Sequence, residues 1–187
     1  MDTLIESQLL IGVTTLCLMW TDWVLTILQE RERVKVHHKH YESYPVNTIE
    51  GNNLIRNDVH KRKFLNLKYI TISLICSIGV AVASNYIPMP GRELFLGWVW
   101  GTFLIVISTH LSYLFGYIAS RRGLEGKLRM HIRTGYLIQT GRYLSLIPLL
   151  LILWLASMSG FILGVLFASV TTSVRHLLWL RRTPKYE

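Results

Sequence analysis

The chain has 187 residues, of which 51% are apolar and 17% charged, and its mean hydropathy is +0.35. Soluble domains carry about 25% charged residues mixed through the chain; here long apolar blocks alternate with short basic stretches, which excludes an ordinary soluble protein. The formal charge of +9 flanks the apolar runs, as it does in proteins that meet anionic headgroups, and without a nucleic-acid-binding motif it argues against nucleic acid as a partner.

A spanning helix needs about 20 mostly apolar residues. Five segments approach that length, 9–28, 69–87, 94–119, 136–158 and 160–180. The pattern predicts an all-α polytopic transmembrane bundle of five helices, one transmembrane domain over residues 1–187 with a basic loop over 31–66. The first run follows an acidic start, MDTLIESQ, lacks an A-x-A site and is too long for a signal core, so it is expected to stay as a span. Behind it, RERVKVHHKHYE can prolong the helix until Pro45 breaks it, and Asn53 is expected to cap a short helix in LIRNDVHKRKF. The turn PMPGRE joins the second and third spans. SMSG (Ser157 to Gly160) divides the fourth from the fifth, which predicts a tight hairpin, and Pro148 is expected to kink the fourth.

Orientation follows from Lys and Arg near the spans. Of the 20 basic residues, all but Arg92 fall on one side of the five-span arrangement. That side is expected to be the cytoplasm, with the N-terminus outside, the C-terminus inside, and a prokaryotic inner or plasma membrane as the location. Trp98, Trp100, Trp154 and Tyr86 fall near the outer ends, and Tyr69, Tyr136, Tyr143 and Trp179 near the inner ends, as an interfacial belt would. Cys17 and Cys76 lie far apart within apolar runs and are expected to pack as small apolar residues, without a disulfide.

DWVLT (Asp22 to Thr26) followed by EGNNLIR (Glu50 to Arg56) resembles a pattern in small uncharacterised prokaryotic membrane proteins. In those proteins Asp-x-x-Leu-Thr in the first span precedes Glu-x-Asn-Pro in the next loop. Glu50 and Asn52 match, while Asn53 stands where that family has proline, and the likeness covers the first third of the chain. The resemblance implies a small polytopic membrane protein and brings no activity with it.

Asp22 is the ionisable residue that the first span has to explain. It precedes Glu30 by eight residues, which places it about 12 Å inside the basic end at 1.5 Å per residue. A carboxylate there costs at least about 2.5–3.5 kcal/mol unless it is paired, protonated or facing water. Thr26, Gln29 and Arg33 follow at spacings of four, seven and eleven, on the same helical face. The third span supplies His110, Tyr113 and Tyr117 along one face, with Ser108, Thr109 and Ser112 beside them. His110 precedes Arg121 by eleven residues and Asp22 precedes Arg31 by nine, so their depths differ by about 3 Å and contact is geometrically open. A His–carboxylate pair can hold or relay a proton near neutral pH. A neutral His bonded to a nearby hydroxyl or carbonyl is the structural alternative.

The fifth span carries Ser169, Thr172, Ser173 and His176 on one face, with Thr171 and Arg175 adjacent. Small hydroxyl residues often serve helix packing there. Arg142 and Arg175 can snorkel to headgroups or act as counter-ions to Asp22. The expected polar cluster is therefore Asp22, Thr26, Gln29, His110, Tyr113, Arg142, Arg175 and His176. His37, His38 and His40 in HHKH, with Glu42, have residue types that suit zinc or copper, but adjacent histidines diverge on a helix, so a solvated basic surface competes with metal. No cofactor is predicted. Ser–His–Asp, H-E-x-x-H and Cys-x-x-Cys patterns are absent from the sequence, which lowers the case for an enzyme.

Three readings follow. The first is an oligomeric channel or transporter for protons or cations. The second is a non-catalytic subunit or scaffold of a larger membrane complex. The third is a lipid-modifying enzyme. The expected partners are anionic lipid headgroups and further membrane chains, the same or different.

Overall fold

A computed structural model describes residues 5–40, 54–123, 125–127, 129 and 131–183. Those residues form helices joined by short turns, without strands: α1 (Gln8–His40), α2 (Arg56–His60), α3 (Leu67–Tyr86), α4 (Gly91–Gly123), α5 (Ile132–Ser157) and α6 (Gly160–Arg182). Five of them, all but α2, are long and apolar enough to cross a membrane. The fold is that of an integral membrane protein. Pro45, Glu50, Asn52 and Asn53 lie outside the described residues, and so do the side chains of His37, His38 and His40.

Local sequence explains where the helices begin and end. Asn66 caps α3, its side chain accepting from Lys68 N at 3.0 Å, and His131 Nδ1 accepts from Arg133 N at 3.2 Å at the start of α5. The tight hairpin at SMSG is present. Met158 takes a left-handed conformation (φ 50°), and α6 restarts two residues on. Glu93, in the first turn of α4, accepts from Gly160 N at 3.1 Å and so lays a carboxylate on the N-terminus of α6. Helix α5 continues through Pro148. The short helix of the basic loop is smaller than the sequence suggested, with Ile55 in the N-cap place and no side-chain cap.

The spanning helices follow one another as α3, α1, α4, α6 and α5, with α1 packed between α3 and α4 and α6 between α4 and α5. The α4–α6 seam is the most extensive, and it depends on glycine. A Cβ on Gly97 would lie 2.1 Å from the Phe161 carbonyl oxygen, and one on Gly164 would lie 2.2 Å from that of Leu94. Two backbones in direct contact can form many weak contacts without a side chain between them, which is how small residues hold helices together in lipid.

Near the opposite end from the basic loop, Ile5, Ile11, Ala81, Leu96 and Trp100 form one buried cluster. Trp100 is buried there and donates to Thr15 Oγ1 at 2.9 Å, so it is a core residue and not part of an interfacial belt. Tyr69 and Tyr143 are likewise buried, whereas Tyr86, Trp98 and Trp179 are exposed. Buried Trp and Tyr need a partner for their N–H or O–H, and each of these three has one. Cys17 and Cys76 are free thiols on exposed faces.

At the basic end α1 is tied to the foot of α3. Trp23 stacks on Tyr69 with ring centroids 4.4 Å apart, Trp23 Nε1 donates to the Phe64 carbonyl at 2.7 Å, and Tyr69 Oη donates to the Met19 carbonyl at 2.7 Å. Helix α3 therefore starts level with Asp22 and Trp23. Below that level Val59 of α2 packs with Trp23 and Ile27, occupying the flank that α3 has left.

Candidate functional site

A polar cluster lies in the seam between α1 and α4. Helical spacing puts Asp22, Thr26 and Gln29 on the face of α1 that meets α4, while Met19 and Trp23 meet α3. His110 of α4 projects among them. Its Nε2 lies 3.2 Å from Thr26 Oγ1 and 3.3 Å from Asp22 Oδ1, and its Nδ1 lies 2.5 Å from Gln29 Oε1.

Hydrogen-bond roles follow from the backbone. Thr26 gives its own proton to the Asp22 carbonyl at 2.9 Å, so its oxygen is available to accept from His110 Nε2–H. Gln29 can turn either its carbonyl or its amide nitrogen toward Nδ1. The ring can thus carry one proton or two while both nitrogens remain engaged. Asp22 Oδ1 is different: within ion-pair distance of Nε2, it is buried and has no aligned hydrogen bond. Distance and alignment disagree at this atom, and alignment decides whether a hydrogen bond exists. The side chains of His110 and Asp22 retain 19% and 23% of their exposure, so the pair is neither sealed in the core nor fully at the surface. Such a group can hold a proton on His110, pass one to Asp22, or present Oδ1 to a small cation.

Further along α1, Glu30 and Arg33 form a bidentate pair, with Arg33 Nη2 2.7 Å from Oε1 and Nε 2.8 Å from Oε2. Their side chains are 0% and 2% exposed. Glu30 is therefore covered by protein and paired, where the sequence reading placed it at the aqueous end of the span. Val36, beyond the pair, is buried as well, and the valines of RERVKV were the sequence signal that α1 stays covered past the apolar run. Exposed contacts surround it. Glu32 meets Arg121 of α4 at 3.2 Å and a close Lys35, and the Arg31 guanidinium lies 4.1 Å from the centroid of the Phe64 ring.

The remaining expected site residues stand apart from Asp22. Tyr113 accepts from Gln139 Nε2 at 3.0 Å, and the exposed Arg142 guanidinium lies 5.1 Å from its ring centroid. Arg175 is exposed on α6 and stacks on Trp179 at 5.1 Å. His176 is buried, its Nδ1 2.8 Å from the Thr172 carbonyl and its ring against Tyr143 and Trp179. Ser169 donates to the Tyr143 carbonyl at 2.7 Å, joining α6 to α5. Among the described residues no cluster of three or more His, Cys, Asp or Glu could hold a metal, and the side chains of HHKH lie outside them.

Comparison with known protein families, curated proteins and solved structures finds no match to this chain. The reading of function therefore rests on the site itself.

Proposed function

We propose that this chain is a membrane-embedded protein that handles protons or small cations through the Asp22–His110 cluster, with its basic end in the cytoplasm and in assembly with further copies of itself. One observation carries the reading. A titratable pair stands partly open in a spanning seam, with the His110 ring held by Thr26 and Gln29 and the neighbouring Asp22 Oδ1 left without a hydrogen bond. A lock whose only purpose is to join two helices gains most when every polar atom is satisfied. An unsatisfied carboxylate oxygen next to a histidine suits exchange of a proton or cation instead.

The assembly part of the proposal follows from the row of helices. The seam above the cluster is bridged by the buried Thr15–Trp100 bond, seven residues or about 10 Å up α1. Among the described residues, that bond and the apolar cluster around it interrupt the polar groups along the seam, so a path across the membrane needs a surface from a second copy. The test is uptake by proteoliposomes carrying a pH-sensitive dye, driven by an imposed potential, for the parent and Asp22→Asn. Uptake in the parent that Asp22→Asn abolishes supports the proposal.

A second reading, a subunit of a larger membrane complex, is favoured by α5. Only 11% of its most apolar stretch is buried, which leaves a full helix flank for another chain or for lipid. Stoichiometric partners of different sequence in gently solubilised native membranes would favour it.

A further inference from the structure

The other face of α4 carries a second polar site level with His110. Ser108 and Ser112 lie four residues apart on the side turned away from α1, with Thr109 beside them. Helix α5 does not close against this face. Thr109 Oγ1 meets Tyr143 Oη at 3.2 Å and, one turn further along α4, Gln139 meets Tyr113; beside the Thr109–Tyr143 contact opens a hollow of about 210 Å³ lined by Ser108, Thr109, Ser112, Arg142 and Tyr143, with Ile105 and Leu146.

Three features of the hollow point to a ligand. The Arg142 guanidinium has no carboxylate within ion-pair distance among the described residues, and the contact it makes there is with the Tyr113 ring. Thr102, Thr109 and Ser120 of α4 return their hydroxyls to the carbonyl one turn back, whereas the hydroxyls of Ser108 and Ser112 make no hydrogen bond among the described residues. The lining is also polarised along the membrane normal. Ile105 and Leu146 lie one turn from the hydroxyls and Arg142, toward the membrane interior, because α4 and α5 run in opposite directions. A cation and two donors at the basic end, with aliphatic walls behind them, match an amphiphile with an anionic head.

We propose that the hollow between α4 and α5 binds the phosphate of an anionic phospholipid, Arg142 pairing with the phosphate and Ser108 and Ser112 donating to its oxygens. The planar guanidinium fork fits two phosphate oxygens at once, and in a site bordered by hydrocarbon such charge-assisted bonds are strong. Free phosphate shares the head-group chemistry but leaves the aliphatic walls without a partner. The site is independent of the Asp22–His110 cluster, which faces the opposite side of α4.

The test is thermal unfolding of the full chain in a neutral maltoside detergent and phosphate-free buffer. Phosphatidylglycerol, a diacylglycerol with the same acyl chains, and inorganic phosphate are titrated separately. Phosphatidylglycerol is expected to raise Tm saturably by about 5 °C, while the other two leave it unchanged. Arg142→Gln removes the rise, Ser108→Ala/Ser112→Ala raises the half-saturating lipid concentration about tenfold, and Arg175→Gln keeps the full effect. Should Arg142→Gln not fold, the serine double variant still reads the site. An undiminished rise in both altered proteins, an equal loss with Arg175→Gln, or an equal rise with diacylglycerol would overturn the proposal. An equal rise with inorganic phosphate would overturn the lipid as its source.

Discussion

His110 Nε2 stands almost equidistant from Thr26 Oγ1 and Asp22 Oδ1, at 3.2 and 3.3 Å, yet only the threonine contact is aligned as a hydrogen bond. The ring is fixed by Thr26 and Gln29, and the carboxylate waits beside it. The histidine, and not the carboxylate, therefore carries the aligned side-chain bonds of the cluster. His110→Ala releases two partners and should lower stability by about 1–3 kcal/mol. Asp22→Asn keeps the shape, loses no aligned side-chain bond and should change stability by less than about 1 kcal/mol, with the exposure of the pair limiting its electrostatic part. Denaturant unfolding of both variants in one detergent measures the difference. A larger loss in Asp22→Asn than in His110→Ala would show that the carboxylate is the structural member.

The α4–α6 seam should be intolerant of a single methyl group. Gly164→Ala drives a Cβ to 2.2 Å from the Leu94 carbonyl oxygen, so the helices must separate, at a cost of about 1–3 kcal/mol or more. Gly116→Ala, on the same helix as Gly97 but with nothing within 4 Å, should be neutral or stabilise by up to about 1 kcal/mol. Melting temperatures of the two variants give the comparison, and equal values would contradict the packing described here.

Glu30 and Glu32 stand two residues apart on α1 and should respond differently to the same change. Glu30→Gln leaves Arg33 buried with half its partner gone and should cost about 3–5 kcal/mol. Glu32→Gln weakens contacts to the exposed Lys35 and Arg121 and should cost less than about 1 kcal/mol. Chemical unfolding of each variant, or its yield in membranes, reads the difference.

Much of the fold was legible because hydropathy and length determine which segments span. Both ends of the last four spans fall within about four residues of the sequence reading, while the first runs on to Val36, past the expected end at 28, and the SMSG hairpin lies where two spans too long for one had to divide. Depth was partly legible, since counting back from the basic ends brought Asp22 and His110 to one level, and they lie 3.3 Å apart. Rotation was not. A helix that is apolar on every side gives no stripe to orient it, so Arg142 and Arg175 looked equally able to face Asp22, whereas Arg142 lies over Tyr113 and Arg175 over Trp179. The glycines of α4 and α6, four apart at Gly97 and Gly101 and at Gly160 and Gly164, carried a readable packing signal, but it identifies a close contact and not the partner helix.

Orientation is open to direct measurement. With Cys17 and Cys76 replaced by alanine, Met89→Cys places one exposed thiol in the turn between α3 and α4. The one-sided distribution of Lys and Arg predicts labelling by a membrane-impermeant maleimide from outside intact cells. Labelling only after the cytoplasmic face is opened would reverse the whole arrangement.

The most direct test of the account is proton uptake by proteoliposomes holding equal amounts of the parent, Asp22→Asn or His110→Gln, each shown by its melting curve to be folded. The account predicts uptake by the parent that collapses and reforms with the imposed potential, and a fall of at least about tenfold in both variants. Uptake that is equal in all three proteins, or absent from the parent at every lipid-to-protein ratio, would contradict it and leave the cluster as a contact between α1 and α4.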